Sequence, residues 1–361
     1  METVVTPTQL KTTYHNKKIF VTGHTGFKGA WLCAWLHQLG AVVKGYALAP
    51  EHPESLFNLM EPLGVVESIL ADVRDKQRLE TELLNFQPDY IFHLAAQPLV
   101  RRSYEIPSET FEVNVVGTAN LLEAVNKLHR KCAVVIITTD KVYENKEKDI
   151  LYQETDALGG YDPYSASKAC TELVVGSFRN SFFNINTIAQ HQKGLATARA
   201  GNVIGGGDFS NDRIVPDIVR ALQHDRTIEL RNPRAVRPWQ HVLEPLGGYL
   251  LLAERLYKDP APYSQAYNFG PLPADHLEVA QLAQIATECW GHGNFVSTQN
   301  VHQLHEANLL KLDILKAQKE LHWVPKLNAA RAIEWTMKWY KKDWHNALAF
   351  SFEQIENYMR L

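Results

Sequence analysis

Lys17-Lys18-Ile19-Phe20-Val21-Thr22-Gly23-His24-Thr25-Gly26-Phe27-Lys28-Gly29 is the stretch whose reading decides the fold. Two lysines lead into a short apolar run, which reads as a buried strand. A glycine-bearing turn follows. Phe27, Trp31, Ala34 and Trp35 then recur at helical spacing up to Leu39-Gly40, where a glycine ends the helix, as is common. In such a strand–turn–helix the glycines permit a tight turn, let the backbone approach a pyrophosphate and let helix pack on strand. The helix N-terminus adds free N–H groups and a partial positive charge. An ordinary turn is the bland alternative, and its place at the head of an α/β repeat argues against it. The pattern is Gly-x-x-Gly-x-x-Gly, not the Gly-x-Gly-x-x-Gly of the usual dinucleotide fingerprint.

Outward from that turn, residues 41–47, 67–72, 89–94 and 132–138 read as further strands, and 194–199 as a sixth. Helices are expected over 75–86, over 107–128 with one apolar stripe of Phe111, Val115, Ala119, Leu122 and Val125, and over 164–182. Strands alternating with helices predict an α/β fold: a doubly wound parallel sheet of Rossmann type over residues 17–200. Residues 1–16, polar and threonine-rich, read as a loose leader. Beyond Gly201 the run Gly205-Gly206-Gly207 and the prolines break the pattern into shorter elements. A smaller C-terminal α/β substrate domain is expected over 201–361, with part of 237–256 folding back onto the first.

The 361 residues are 45% apolar and 21% charged, an ordinary globular composition with room for two domains. A net charge of −3 gives no case for nucleic acid or an anionic membrane, so an anionic ligand must be held by local cations. Cys33, Cys132, Cys170 and Cys289 lie far apart, without metal-ligand spacing. Free thiols, no metal and a cytoplasmic location are the expectation. No run approaches the ~18 apolar residues of a membrane span.

Tyr164 and Lys168 stand four residues apart on one helical face, which can hold a phenol beside an ammonium. A free phenol titrates near about 10 and is a poor base, whereas an adjacent cation favours the phenolate. Tyr-x-x-x-Lys alone is common, and its weight comes from the upstream turn. The second strand ends Tyr46-Ala47-Leu48-Ala49-Pro50, with neither an acid for a ribose nor a base for a 2′-phosphate. The missing cation argues for NAD over NADP. Asp72 either accepts from an adenine amino group or caps the helix that follows.

The Gly23/Gly26/Gly29 turn, Asp72-Val73, His93-Leu94-Ala95-Ala96, Asn114-Val115-Val116-Gly117 and Tyr164/Lys168, in this order, resemble the extended short-chain dehydrogenase/reductase superfamily. Within it the chain is similar to the nucleotide-sugar 4,6-dehydratases. Their triplet reads Thr-Asp-Glu in the dTDP-glucose group and Thr-Asp-Lys in the CDP-glucose group, and here Thr139-Asp140-Lys141 matches the latter. Thr25-Gly26-Phe27-Lys28-Gly29, Ala95-Ala96-Gln97-Pro98-Leu99-Val100 and the run from Arg199 to Asp208 also look like the CDP-glucose group.

The resemblance implies NAD held by Gly23, Thr25, Gly26, Phe27, Lys28, Asp72, Val73, Leu94, Ala95, Ala96, Thr138, Tyr164 and Lys168. It implies oxidation at sugar C4 with Tyr164 as base, Lys168 keeping it acidic and Thr139 bonding the 4-oxygen. Water is then lost across C5 and C6, Asp140 protonating the departing 6-hydroxyl, and hydride returns to C6. Lys141 stands where the Thr-Asp-Glu enzymes carry the C5 base, and acts either as that base or by stabilising the enolate. CDP-glucose is the implied substrate, feeding deoxysugar synthesis for surface polysaccharide such as lipopolysaccharide O-antigen. Gln97, Asn202, Arg213, Arg237 and His241 are the candidate substrate ligands, with Arg231 and Arg234 as substitutes. The Pro107 and Tyr164 helices imply a homodimer or homotetramer through a helix bundle. A dehydratase of dTDP-glucose or GDP-mannose, or a nucleotide-sugar epimerase, is the alternative.

Overall fold

The computed structural model describes residues 7–273, 275–297 and 310–361. The first six residues of the expected leader, and Ala274 and 298–309 of the expected second domain, lie outside the described residues. Seven parallel strands form the central sheet: β1 (Lys18–Thr22), β2 (Val42–Ala47), β3 (Glu67–Leu70), β4 (Tyr90–His93), β5 (Cys132–Ile137), β6 (Lys193–Ala200) and β7 (Ala266–Phe269). They lie in the order β7-β6-β5-β4-β1-β2-β3, which is the doubly wound arrangement.

Alternation along each strand feeds two cores. From β1, Ile19 and Val21 point into one and Phe20 into the other; from β5, Ala133, Val135 and Ile137 face one and Cys132, Val134 and Ile136 the other. Helices α2 (Phe27–Gln38) and α6 (Leu243–Lys258) cover the first face. The second is covered by α3 (Lys76–Phe86), α4 (107–126) and α5 (Pro163–Ser181). Asp75 caps α3 by accepting from Arg78 N, and Asp162 caps α5 by accepting from Ser165 N. The middle of α4, Glu112–Val116, is π-helical. This widened turn departs from the expected uniform stripe: Asn114, Gly117, Thr118, Leu121, Leu122, Ala124 and Val125 are buried, while Phe111, Val115 and Ala119 are half-buried.

The leader is not loose in its second half. Pro7–Tyr14 forms helix α1, whose Tyr14 is buried, packs its ring 5.0 Å from that of Tyr90 on β4, and donates to Leu250 O on α6 at 2.6 Å. Tyr14, with Leu10 also buried, docks an otherwise polar segment.

Beyond residue 200 the chain returns to the sheet twice, as α6 and as the edge strand β7. β7 went unexpected because it is four residues inside a proline-rich stretch. The remainder forms short pairings, Val203–Ile204 with Gln240–His241, Ile228–Leu230 with Phe295–Ser297 and Val236–Arg237 with Leu277–Glu278. These, with Ile214–Gln223, stand over the C-terminal ends of the strands, where ligands of such sheets bind.

Candidate active site

A cavity of about 1060 Å³ runs from the glycine turn to the ends of β5 and β6 and is roofed by residues 201–237. Gly23 adopts φ +76 and presses on Leu94 and Ala95, where a Cβ would come within 2.6 Å of Ala95 N. At Gly29 a Cβ would stand 2.0 Å from Gly23 O. Gly26 differs: an added Cβ would meet only Gly23 O, at 3.4 Å, because this glycine faces the cavity. No side chain caps α2 there. Open space before an uncapped helix N-terminus fits a pyrophosphate. Thr25, Phe27, Lys28, Asp72, Val73, Leu94, Ala95 and Ala96 line the same end of the cavity. The Asp72 carboxylate does not cap α3. It accepts from Arg74 N, Nε and Nη2 at 2.8, 3.0 and 2.6 Å, and Arg74 holds it below the usual carboxylate range. Arg74 in turn pairs with Glu109 and Glu112.

Thr139, Asp140, Lys141, Tyr164 and Lys168 converge at the far end. The triplet leaves β5 in a single 3₁₀ turn: Thr139 Oγ1 donates to Asp140 Oδ1 at 2.9 Å and accepts from Lys141 N at 3.3 Å. Asp140 is buried, and Gly201 gives it room, since a Cβ there would stand 3.2 Å from Asp140 Oδ2. Lys141 is half-buried and its ammonium has no hydrogen bond or ion pair among the described residues. Burial pushes the Tyr164 phenol up to about 12, an effect that Thr139 and Arg213 only partly offset. Lys168 Nζ donates to Ile137 O at 3.1 Å. Burial brings the Lys168 ammonium down to about 8. Lys28, close over the Tyr249 ring, comes down to about 7 through burial and the like charges of Arg213 and Lys168.

Asn202, Arg213 and Arg237 line the roof of the cavity. Arg213 Nη1 donates to the buried Asp208 carboxylate at 2.9 Å. Gln97 also reaches the cavity, but its amide is spent on the chain itself: Oε1 accepts from Leu99 N, and Nε2 donates to Leu99 O and Thr110 Oγ1. His241 is not a substrate ligand. It is fully buried on the short strand pairing with Val203–Ile204, outside the cavity lining, edge-on to Trp31 and Trp335 at 5.9 and 5.8 Å.

Residues 20–336 match the sequence profile of GDP-mannose 4,6 dehydratase. The chain belongs to that family. CDP-glucose 4,6-dehydratase of Salmonella typhimurium is 46% identical over 352 residues, 97% of this chain and 98% of the relative. The fold matches UDP-glucose 4-epimerase of Thermus thermophilus in complex with NAD (TM-score 0.77, 23% identity, 90% of this chain and 99% of that one). It also matches dTDP-glucose 4,6-dehydratase of Bacillus anthracis in complex with NAD (TM-score 0.74, 20% identity, 90% and 98%).

This member of the GDP-mannose 4,6 dehydratase family also carries site residues not foreseen from sequence. Arg101 and Asp212 are two of them: Arg101 and Arg231, the latter already a candidate substitute ligand, approach Asp212 Oδ1 at 3.2 and 2.8 Å in the cavity lining. Asn114, in the π-helical turn, donates to Gln97 O and to Ser167 Oγ, tying the Gln97 loop to the Tyr164 helix. Glu172 repeats the four-residue step from Tyr164 to Lys168, a signal present in the sequence.

Proposed function

We propose that the protein converts CDP-glucose to CDP-4-keto-6-deoxyglucose with loss of one water, using NAD. The observation that carries this is the meeting of Tyr164 and Lys168 with Thr139, Asp140 and Lys141 at one end of a cavity whose other end is the glycine turn. The Salmonella relative supplies the sugar nucleotide. NAD rather than NADP is supported at Arg74, the cation beside the turn: it is neutralised by Asp72, Glu109 and Glu112, so a 2′-phosphate would find no spare positive charge there.

NAD, when bound, supplies the hydride acceptor for sugar C4 and the donor for C6. The chain moves the protons. Tyr164 takes the 4-hydroxyl proton, with Thr139 bonding phenol and substrate oxygen. The ketone formed at C4 acidifies the C5 proton, which Lys141 removes or whose enolate it stabilises. Asp140 protonates the 6-hydroxyl as the C6–O bond breaks, water leaves, and a proton is then returned to C5, by Lys141 where it was the base, to complete the 4-keto-6-deoxy product. Arg213 and Arg237, on the roof, hold the substrate's diphosphate. The protein works in the cytoplasm, a reading supported by four free cysteines. It self-associates through α4 and α5, a reading supported by the exposed apolar side chains Val116 and Leu173, and light scattering that returned a monomer would end it.

Incubation with CDP-glucose and NAD should give a product lighter by one water. Parallel reactions with dTDP-, UDP- and GDP-sugars test the base, and mass-neutral turnover would instead mark an epimerase.

A further inference from the structure

Beneath the catalytic cluster lies an ion pair that the chemistry above does not use. Glu172 stands one helical turn beyond Lys168 on α5, and Arg199 is next to last on β6; both side chains are 4% exposed. The carboxylate is saturated. Oε1 accepts from Thr138 Oγ1 at 2.6 Å and Arg199 Nε at 2.9 Å, and Oε2 accepts from Thr197 Oγ1 at 2.8 Å and Arg199 Nη2 at 2.9 Å. Burial pushes the Glu172 carboxyl up, but Arg199 and the two hydroxyls outweigh it, and the group stays ionised. The remaining guanidinium nitrogen, Nη1, donates to Tyr143 OH at 2.9 Å and Glu154 O at 3.1 Å, and the guanidinium lies over the Tyr143 ring. Tyr143 OH donates onward to Asn268 Oδ1 on β7 at 2.7 Å.

The connectivity of this network is specific. Thr138 and Tyr143 flank the Thr139-Asp140-Lys141 triplet on its two sides, and both are fastened to one ion pair. The carboxylate of that pair is carried by the helix that carries Tyr164 and Lys168. A buried ion pair is a poor source of stability, because desolvation consumes most of its Coulomb energy. Its directional bonds do fix distances. We infer that Glu172, acting with Arg199, is a positioning residue that sets the triplet against the Tyr164–Lys168 pair. It thereby couples elimination across C5 and C6 to oxidation at C4. The inference rests on the dehydratase reading, since only a dehydratase needs both groups aligned on one sugar.

Two variants test it. Glu172→Gln breaks the pair. Tyr143→Phe leaves the pair whole and removes the two hydroxyl bonds on the far flank, from Arg199 and to Asn268, so a folded variant remains if Glu172→Gln fails to fold. For each folded variant, melting temperature, KM for CDP-glucose, and the rates of cofactor reduction and of water loss in a single turnover are measured. In Tyr143→Phe, whose lost bonds lie on the Asp140–Lys141 side of the triplet, KM and cofactor reduction should stay near wild type while water loss slows by about a hundredfold, the cost of misplacing a reacting group by about 1 Å, so that reduced cofactor accumulates. Glu172→Gln, which also frees Thr138 beside Thr139, should slow both steps, water loss the more. If reduction and water loss fall equally, or both fall only in proportion to the folded fraction, the inference is overturned. A wild type that dehydrates no nucleotide sugar overturns the functional reading and this inference with it; dehydration in the wild type with an unchanged partition in Tyr143→Phe overturns the inference alone.

Discussion

Asp140 and Lys141 are neighbours with opposite surroundings: the carboxylate is buried and bonded by Thr139, while the ammonium stands half-exposed on the cavity wall. If Lys141 takes part at C5, Lys141→Ala should lower kcat about a hundredfold or more with NAD binding intact, as checked by turnover and NAD titration. The triplet could be singled out because its three adjacent residues match the Thr-Asp-Lys pattern of the resemblance. His241 was misread for the complementary reason. Its polarity within Arg237-Pro238-Trp239-Gln240-His241 suggested a ligand, but pairing with Val203–Ile204, remote in sequence, turns it into the core. Burial brings its imidazole down from 6.5 to about 3, and Nε2 has no hydrogen-bond partner among the described residues. The folded state therefore stays neutral at this residue where the unfolded chain takes up a proton. Stability is full above pH 6.5 and is lost as pH falls toward 3, by up to about 1.4 kcal/mol per pH unit. His241→Phe should flatten the denaturation midpoint against pH in that window relative to wild type, and leave KM for CDP-glucose unchanged.

At the scale of elements, the six strands from β1 to β6 were readable because most are largely apolar runs between turn signals. β7 was not. Ala266–Phe269 carries a polar Asn268 whose side chain serves Tyr143, Tyr152 and Asp313, so its composition reflects its bonds and not its strand geometry. The glycine-bearing elements make a sharper test, because their glycines do different things. Gly26 has φ −77 and open space, so Gly26→Ala should fold with a wild-type melting temperature. Its methyl group would occupy the pyrophosphate's place and weaken NAD binding roughly tenfold to a hundredfold, the worth of one charge-assisted hydrogen bond. Gly206 lies against the indole of Trp339, where a Cβ would come within 1.9 Å. Gly206→Ala should cost about 1–3 kcal/mol or more in denaturant while NAD binding by the folded fraction persists. Equal loss of NAD binding in both variants would contradict this division of labour.

Across the whole molecule, segments distant in sequence close one body. Trp31 on α2 donates to Gly206 O, and Glu244 on α6 accepts from Lys326 N, Leu327 N and Tyr358 OH, the last on the C-terminal helix Ala347–Arg360. Such ties have no local signature, which is why residues 1–16 read as unattached and 201–361 as more separate than the sheet allows. Helix α1 is the extreme case. It is eight residues, too short to hold alone in water, where isolated helices below about 12–15 residues are marginal. Tertiary contacts must therefore hold it, and Tyr14 concentrates them by joining β4 through Tyr90 and α6 through Leu250. Tyr14→Phe removes one buried hydrogen bond and should cost about 1 kcal/mol; Tyr14→Ala adds an aromatic-sized cavity and should cost about 3–5 kcal/mol in urea denaturation. Both variants should keep wild-type kcat and KM per folded molecule, since Tyr14 lies outside the cavity lining. An Ala variant as stable as wild type would mean that α1 is not docked through this residue.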